Sequence, residues 1–274
     1  MGVSAAYYNE IDPYAAKWLR NLIAEGHIAP GEVDERSIED VTPEDLREFT
    51  QCHFFAGIGV WSLALRRAGW PDDLPVWTGS CPCQPFSTAG KGAGVADERH
   101  LWPAFFHLIS QCRHGVVFGE QVSSKDGLGW LDIVQTDLET AGYASAAADL
   151  CAAGVGAPHI RQRLYWVADT NYQRQEGERP NHHAEGWEGP YFRPPRLCNG
   201  TGVSSVSAEA TNGHWRDSDW LSCRDGKWRP VEPGTFPLAN GITSRVGRLR
   251  AYGNAICAPL AEEVVKAYME AICQ

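Results

Sequence analysis

The chain has 274 residues, 43% hydrophobic and 21% charged, with a formal net charge of −10, enough for one large or two modest domains around a sizeable core. No apolar run reaches membrane-spanning length, no basic-then-apolar leader opens the chain, and the nine cysteines form no Cys-x-x-Cys pair, the closest spacing being Cys81-x-Cys83. These features argue against a membrane protein, a secreted disulfide framework and a zinc ribbon, and lead us to expect a cytoplasmic protein with reduced thiols.

Residues 3–8 read as a short strand, followed by Asn9-Glu10-Ile11-Asp12. Asp12 and Pro13 suit the cap and first turn of a helix, along which Ala15, Ala16, Trp18, Leu19, Leu22 and Ile23 form an apolar stripe ending at Gly26. A second unit runs through residues 31–38, and Thr42-Pro43-Glu44-Asp45 opens a short helix. Residues 51–56 read as a strand entering the turn Gly57-Ile58-Gly59, with a helical stripe through Leu63, Ala64, Leu65 and Ala68 behind it. Strand, Gly-x-Gly and helix in that order make a nucleotide-cofactor turn: the glycines let the backbone approach the ligand, and the helix N-terminus faces it.

The run Leu74-Pro75-Val76-Trp77 leads into Cys81-Pro82-Cys83-Gln84-Pro85-Phe86-Ser87. Pro82 and Pro85 prevent helix there, leaving Cys83 at the tip of a stiff loop after a strand, the place where open α/β sheets carry ligands and chemistry. A buried structural cysteine is the competing reading of this stretch taken alone. A helix is expected over about residues 100–112, a buried strand over 115–119 delivering Glu120, a helix over 130–141, and a strand over 164–168 preceded by Arg161 and Arg163. Residues 169–236 lose periodicity and are rich in Gly, Pro, Arg and Trp, reading as a small irregular insertion. Residues 160–250 hold 13 Lys+Arg, 12 of them Arg, against 10 Asp+Glu. The acidic total argues against nucleic acid, but this basic stretch is compatible with a polyanion on one face. A C-terminal helix begins at Pro259. The organisation expected is a catalytic and cofactor-binding domain over 1–168, a target-recognition region over 169–236, and a segment over 237–274 that returns to the first domain.

Taken together, Phe55-Ala56-Gly57-Ile58-Gly59, Pro82-Cys83-Gln84-Pro85-Phe86-Ser87, Glu120-Gln121-Val122, Arg161-Gln162-Arg163 and Gly253-Asn254-Ala255-Ile256 resemble the motifs of DNA (cytosine-5) methyltransferases, most of all small phage-encoded members. Asn9-Glu10-Ile11-Asp12 resembles that family's ribose-binding motif. The resemblance implies an α/β, Rossmann-like sheet that uses S-adenosylmethionine, with a small recognition insertion, acting as a monomer on double-stranded DNA without a metal. It implies Cys83 as nucleophile, Glu120 as the acid at the base, and Arg161 and Arg163 at the base and its phosphate. For the cofactor it implies Phe55, Ala56, Gly57, Ile58 and Gly59, with Pro82, Asn254 and Ala255 nearby, Glu10 on the ribose, Ile11 on the adenine, and Asp34 on its amino group, Glu32 being the rival for that last role. Gln84 and Ser87 are implied at the flipped nucleotide, with Gly90, Gly92 and Gly94 letting the loop close. A tRNA cytosine methyltransferase and a non-catalytic cofactor- or DNA-binding module are the alternatives.

The chain departs from the pattern in several places. Gln121 stands where Asn is usual, His159 where Gln is usual, and His53 and Val60 flank the glycine turn in place of commoner residues. The acidic motifs of Glu10 and Asp34 precede Gly57, which resembles a permutation of strand units. A helix kept on its usual face would then make a left-handed link from the glycine-turn strand to the Cys83-bearing strand, against the general rule, unless the short 70–77 connector loops back to avoid it.

Overall fold

The computed structural model describes residues 6–82, 101–157, 160–170, 219–222, 228–231 and 253–272. Seven strands form one sheet: β1 (Ala6–Asn9), β2 (Gly31–Asp34), β3 (Gln51–Phe54), β4 (Val76–Gly79), β5 (Val116–Val122), β6 (Ala144–Cys151) and β7 (Gln162–Asp169). Their order is β2-β1-β3-β4-β5-β7-β6, with the first five parallel and β7 antiparallel to both its neighbours. β1, β3 and β4 are buried throughout, as expected of parallel strands covered on both faces.

Side-chain alternation divides the core. On the front face Tyr7, Cys52, Phe54, Trp77 and Val117 pack with α4 (Trp102–Cys112) and α5 (Lys125–Thr140). On the back face Ala6 and Tyr8 pack with α1 (Pro13–Ala24), and Val76 and Phe118 with α3 (Val60–Ala68) and the C-terminal α6 (Ala258–Ile272). The short α2 (Pro43–Leu46) crosses the front face between β2 and β3. α1 starts as expected: Oδ1 of Asp12 accepts from the backbone N–H of Tyr14 at 2.8 Å and of Ala15 at 3.2 Å, ahead of Pro13.

The route of the chain answers the question of hand. α1 and α3 lie on one face, where the Tyr8 and Ser62 hydroxyls meet at 2.9 Å. Yet β1–α1–β2 steps one way across the sheet and β3–α3–β4 the other. β4–α4–β5 steps the same way as β3–α3–β4, but over the front face. The α3 crossover therefore has the opposite hand to those of α1 and α4, the reversal expected from the motif order. Its short connector is pinned down. Arg66 Nε donates to Asp72 at 2.9 Å, Gln51 Nε2 to the Pro71 carbonyl at 3.0 Å, and Trp70 Nε1 to the Leu74 carbonyl at 3.0 Å.

Two elements differ from the sequence expectation. β6 is an eight-residue edge strand in a stretch to which the sequence assigns no strand. Its Ala-Ser-Ala-Ala-Ala core lacks the β-branched and aromatic residues that mark strands, and pairing with β7 along its whole length imposes the conformation. The region read as irregular contains a hairpin, β8 (Asp219–Ser222) with β9 (Trp228–Val231). Among the described residues no helix is long and apolar enough to cross a membrane, and no cluster of side chains could hold a metal ion.

Candidate active site

A cleft of about 490 Å³ opens at the C-terminal ends of β1, β3, β4 and β5, beside the start of β7. Its floor is the turn after β3. Phe55, Gly57 and Gly59 all take positive φ, at 51°, 56° and 77°. The Ala56 N–H donates to the Asn9 carbonyl at 3.0 Å and the Gly59 N–H to the Ala56 carbonyl at 2.9 Å, so the turn is tied to the end of β1. Gly59 caps α3 in a left-handed conformation. A Cβ built on Gly57 would meet nothing within 4 Å, so the backbone there faces open space in the cleft.

Glu10 closes the turn from the side. Its Oε2 accepts from the Gly57 N–H at 2.7 Å and its Oε1 from the Asp12 N–H at 2.8 Å. Ile11, beside it, is 65% exposed on the cleft wall. Ile58, Pro82, Asn254 and Ala255 line the same cleft.

Asp34 lies elsewhere. It lines a separate depression of about 330 Å³ with Glu32, outside the cleft. Its Oδ2 accepts from the Tyr7 hydroxyl at 2.7 Å and from Arg36 Nη2 at 2.7 Å. Burial pushes its carboxyl up, but the Arg36 and Tyr7 hydrogen bonds outweigh that and hold it below the usual carboxylate range. The cleft wall at that height is instead Arg36, Ser37 and Ile38. Ser37 caps a single 3₁₀ turn over Ile38–Asp40, and Ile38 is buried.

Across the cleft, β5 delivers Glu120, 8% exposed, whose Oε1 lies 2.8 Å from Arg163 Nε. Burial pushes its carboxyl up; Arg163 and Arg161 oppose this without cancelling it, so it titrates above the usual carboxylate range. Gln121, on the other face of β5, donates from Nε2 to the Cys81 carbonyl at 3.1 Å and accepts from the Val122 N–H at 2.9 Å. It thus fastens the foot of the Cys83 loop to the strand that carries Glu120. Trp61 Nε1 adds a second tie, to Ser80 Oγ at 3.0 Å. Arg161 and Arg163 both line the cleft, but Arg161 donates to the carbonyls of Gly253 and Ala255. Cys83, Gln84, Ser87, the glycines at 90, 92 and 94, and His159 lie outside the described residues.

A largely parallel sheet with a glycine turn after a central strand, an acid at the end of the neighbouring strand and a cleft across their carboxyl ends defines a Rossmann-like fold of the nucleotide-cofactor class. More particularly, the chain belongs to the C-5 cytosine-specific DNA methylase family, whose model matches residues 1–193. It is 31% identical over 106 residues to the Type II methyltransferase M.HhaI of Haemophilus parahaemolyticus, an alignment covering 36% of this chain and about a third (32%) of that relative's length. Among solved structures it resembles a Spodoptera frugiperda DNMT2 mutant (18% identity, TM-score 0.42, 64% of this chain and 45% of that one). It also resembles the S. pombe Dnmt2 methyltransferase (15% identity, TM-score 0.40, 64% and 53%). The family's cofactor is S-adenosylmethionine. The cleft fits it: the open space over Gly57 leaves room for an amino-acid moiety, Glu10 offers carboxylate oxygens, and exposed Ile11 offers an apolar face.

Proposed function

We propose that the chain transfers a methyl group from S-adenosylmethionine to C5 of a cytosine flipped out of double-stranded DNA, through a covalent adduct with Cys83. The observation that carries this is the Glu120–Arg163 pair, held 2.8 Å apart in the wall of the cleft whose floor is the glycine turn and whose rim is the foot of the Cys83 loop. The bound cofactor would supply an electrophilic sulfonium methyl, held by the turn over 55–59, Glu10, Ile11, Pro82, Asn254 and Ala255.

C5 of cytosine is a weak nucleophile. The Cys83 thiolate adds to C6, and the ring electrons become enamine-like at C5. Glu120, its carboxyl kept protonated to higher pH by burial, donates to N3 as negative charge builds on the ring and accepts from the N4 amino group. Arg163 holds that carboxyl in orientation through its Nε contact. After C5 has taken the methyl it loses its proton to water, the C5–C6 double bond re-forms as Cys83 leaves as thiolate, and N3 returns its proton to Glu120. Extracting the base from the duplex costs a few kcal/mol, which contacts from Gln84 and Ser87 offset. The Arg-rich region over 169–236 reads the site, and Arg pairs well with guanine in the major groove. The order of motifs, with Glu10 ahead of Gly57, is a permutation of strand units that leaves the cleft intact. The protein acts as a cytoplasmic monomer.

Transfer of labelled methyl to duplex DNA, set beside transfer to tRNA, tests the reading, together with covalent capture by DNA containing 5-fluorocytosine. Duplex labelling that disappears in Cys83→Ala, with loss of the captured adduct, is expected. Label entering tRNA alone would move the substrate to RNA. Unchanged activity in Cys83→Ala would remove the nucleophile.

A further inference from the structure

The resemblance puts the arginines of the Arg161-Gln162-Arg163 motif at the target base and its phosphate, and their side chains divide. Arg163 takes Glu120, whereas Arg161 turns to the backbone of the C-terminal motif. Its Nη2 donates to the Gly253 carbonyl at 3.2 Å and to the Ala255 carbonyl. These contacts join positions 92 and 94 residues apart, spanning the entire 169–236 region. Arg161 also sits at φ 27°, a conformation that a residue with a long side chain rarely adopts and that persists where the surroundings over-determine it. The segment it holds lines the same cleft as the glycine turn, and it leads directly into α6, which packs on α3 behind that turn.

We propose that Arg161 is a positioning residue for the methyl-donor half of the cleft. Its guanidinium fastens the 253–255 backbone to the start of β7, making that backbone a fixed wall of the cofactor site. Both bonds leave from Nη2, one atom farther from the backbone than the Nζ of Lys and with its two N–H directions fixed by the guanidinium plane, which the flexible ammonium of Lys does not reproduce. Without the guanidinium those two carbonyls lose their tie to the start of β7, and the donor must order them as it binds, which weakens affinity. Glu120 and Arg163 stay in place, so turnover at saturation changes less than affinity does. This inference rests on the methyltransferase reading.

The test is calorimetric binding of S-adenosylhomocysteine to the full chain, its Arg161→Lys and its Arg161→Ala variants, alongside donor KM and kcat on duplex DNA, with circular dichroism to establish the fold. Both variants are expected to bind about tenfold or more weakly, and donor KM is expected to rise by a larger factor than kcat falls. If Arg161→Ala does not fold, Arg161→Lys decides. Wild-type affinity in a folded variant overturns the proposal, as does a kcat loss with unchanged donor KM, which would place Arg161 at the base. Wild-type protein that binds no S-adenosylhomocysteine would defeat the methyltransferase reading instead.

Discussion

Alanine at Gly57 and at Gly59, introduced one at a time, separates the folding role of the glycine turn from its binding role. Both residues are left-handed, at φ 56° and 77°, where a Cβ costs about 1–2 kcal/mol. For a chain of this size, that alone lowers Tm by roughly 2–8 °C. Their surroundings differ. A Cβ on Gly59 would lie 3.0 Å from Leu19 Cδ2 and 3.1 Å from Ile28 Cδ1, both in the buried back-face core, so those methyls must move by a few tenths of an ångström. Crowding of that kind adds about 1–3 kcal/mol. A Cβ on Gly57 meets no heavy atom within 4 Å and enters the cleft. Gly59→Ala is therefore expected to lose more Tm than Gly57→Ala. Gly57→Ala is expected to bind S-adenosylhomocysteine at least about tenfold more weakly, roughly 1.4 kcal/mol. Thermal unfolding reads the first quantity; calorimetry at a temperature where both variants are folded reads the second. Wild-type affinity in Gly57→Ala would put the cofactor away from the turn, and equal Tm losses would refute the packing argument.

Other outcomes follow from the same geometry. Glu120→Gln keeps the shape of the side chain but cannot supply the proton, so kcat should fall by about 10²–10⁴. Because burial raises the Glu120 carboxyl, wild-type activity should decline as pH rises through that raised value, and this alkaline limb should vanish in the variant; an unchanged limb would assign it to another group. His53, fully buried with Nδ1 2.8 Å from Thr78 Oγ1, is pushed down from 6.5 to about 3 by burial. A depressed histidine contributes stability that is present above 6.5 and lost as pH falls toward 3, so His53 alone should account for about 2 kcal/mol of the loss between pH 7 and pH 5. Urea unfolding at the two pH values should show that loss shrinking in His53→Phe. Gly119→Ala drives a Cβ to 2.1 Å from the buried Trp166 ring; it should destabilise by about 1–3 kcal/mol or more, and denaturant midpoints indistinguishable from wild type would contradict the close packing of β5 on β7.

Local chemistry carried much of this protein in its sequence. Asp12 and Pro13 announce the start of α1, and Gly57 and Gly59 announce a turn that only positive φ can make. The apolar run at 116–119 announces a buried strand because parallel strands are covered on both faces. Of the residues the short motifs single out, Glu10, Ile11, Gly57, Glu120, Asn254 and Ala255 are among those lining the cleft. Tertiary structure decided what depends on neighbours distant in sequence. β6 is a strand because β7 pairs with it, against its alanine-rich composition. Asp34 lines a neighbouring depression with its oxygens on Tyr7 and Arg36, and Ser37 and Ile38 line the cleft wall. Arg161 and Arg163, two residues apart in sequence, part company because Arg161 turns at positive φ just before β7 and meets the carbonyls of a segment more than ninety residues away, while Arg163 on β7 meets a buried carboxylate. The hand of the α3 crossover belongs to the same class. It depends on which face the helix covers and which way the next strand steps, and neither is a property of any local stretch of chain.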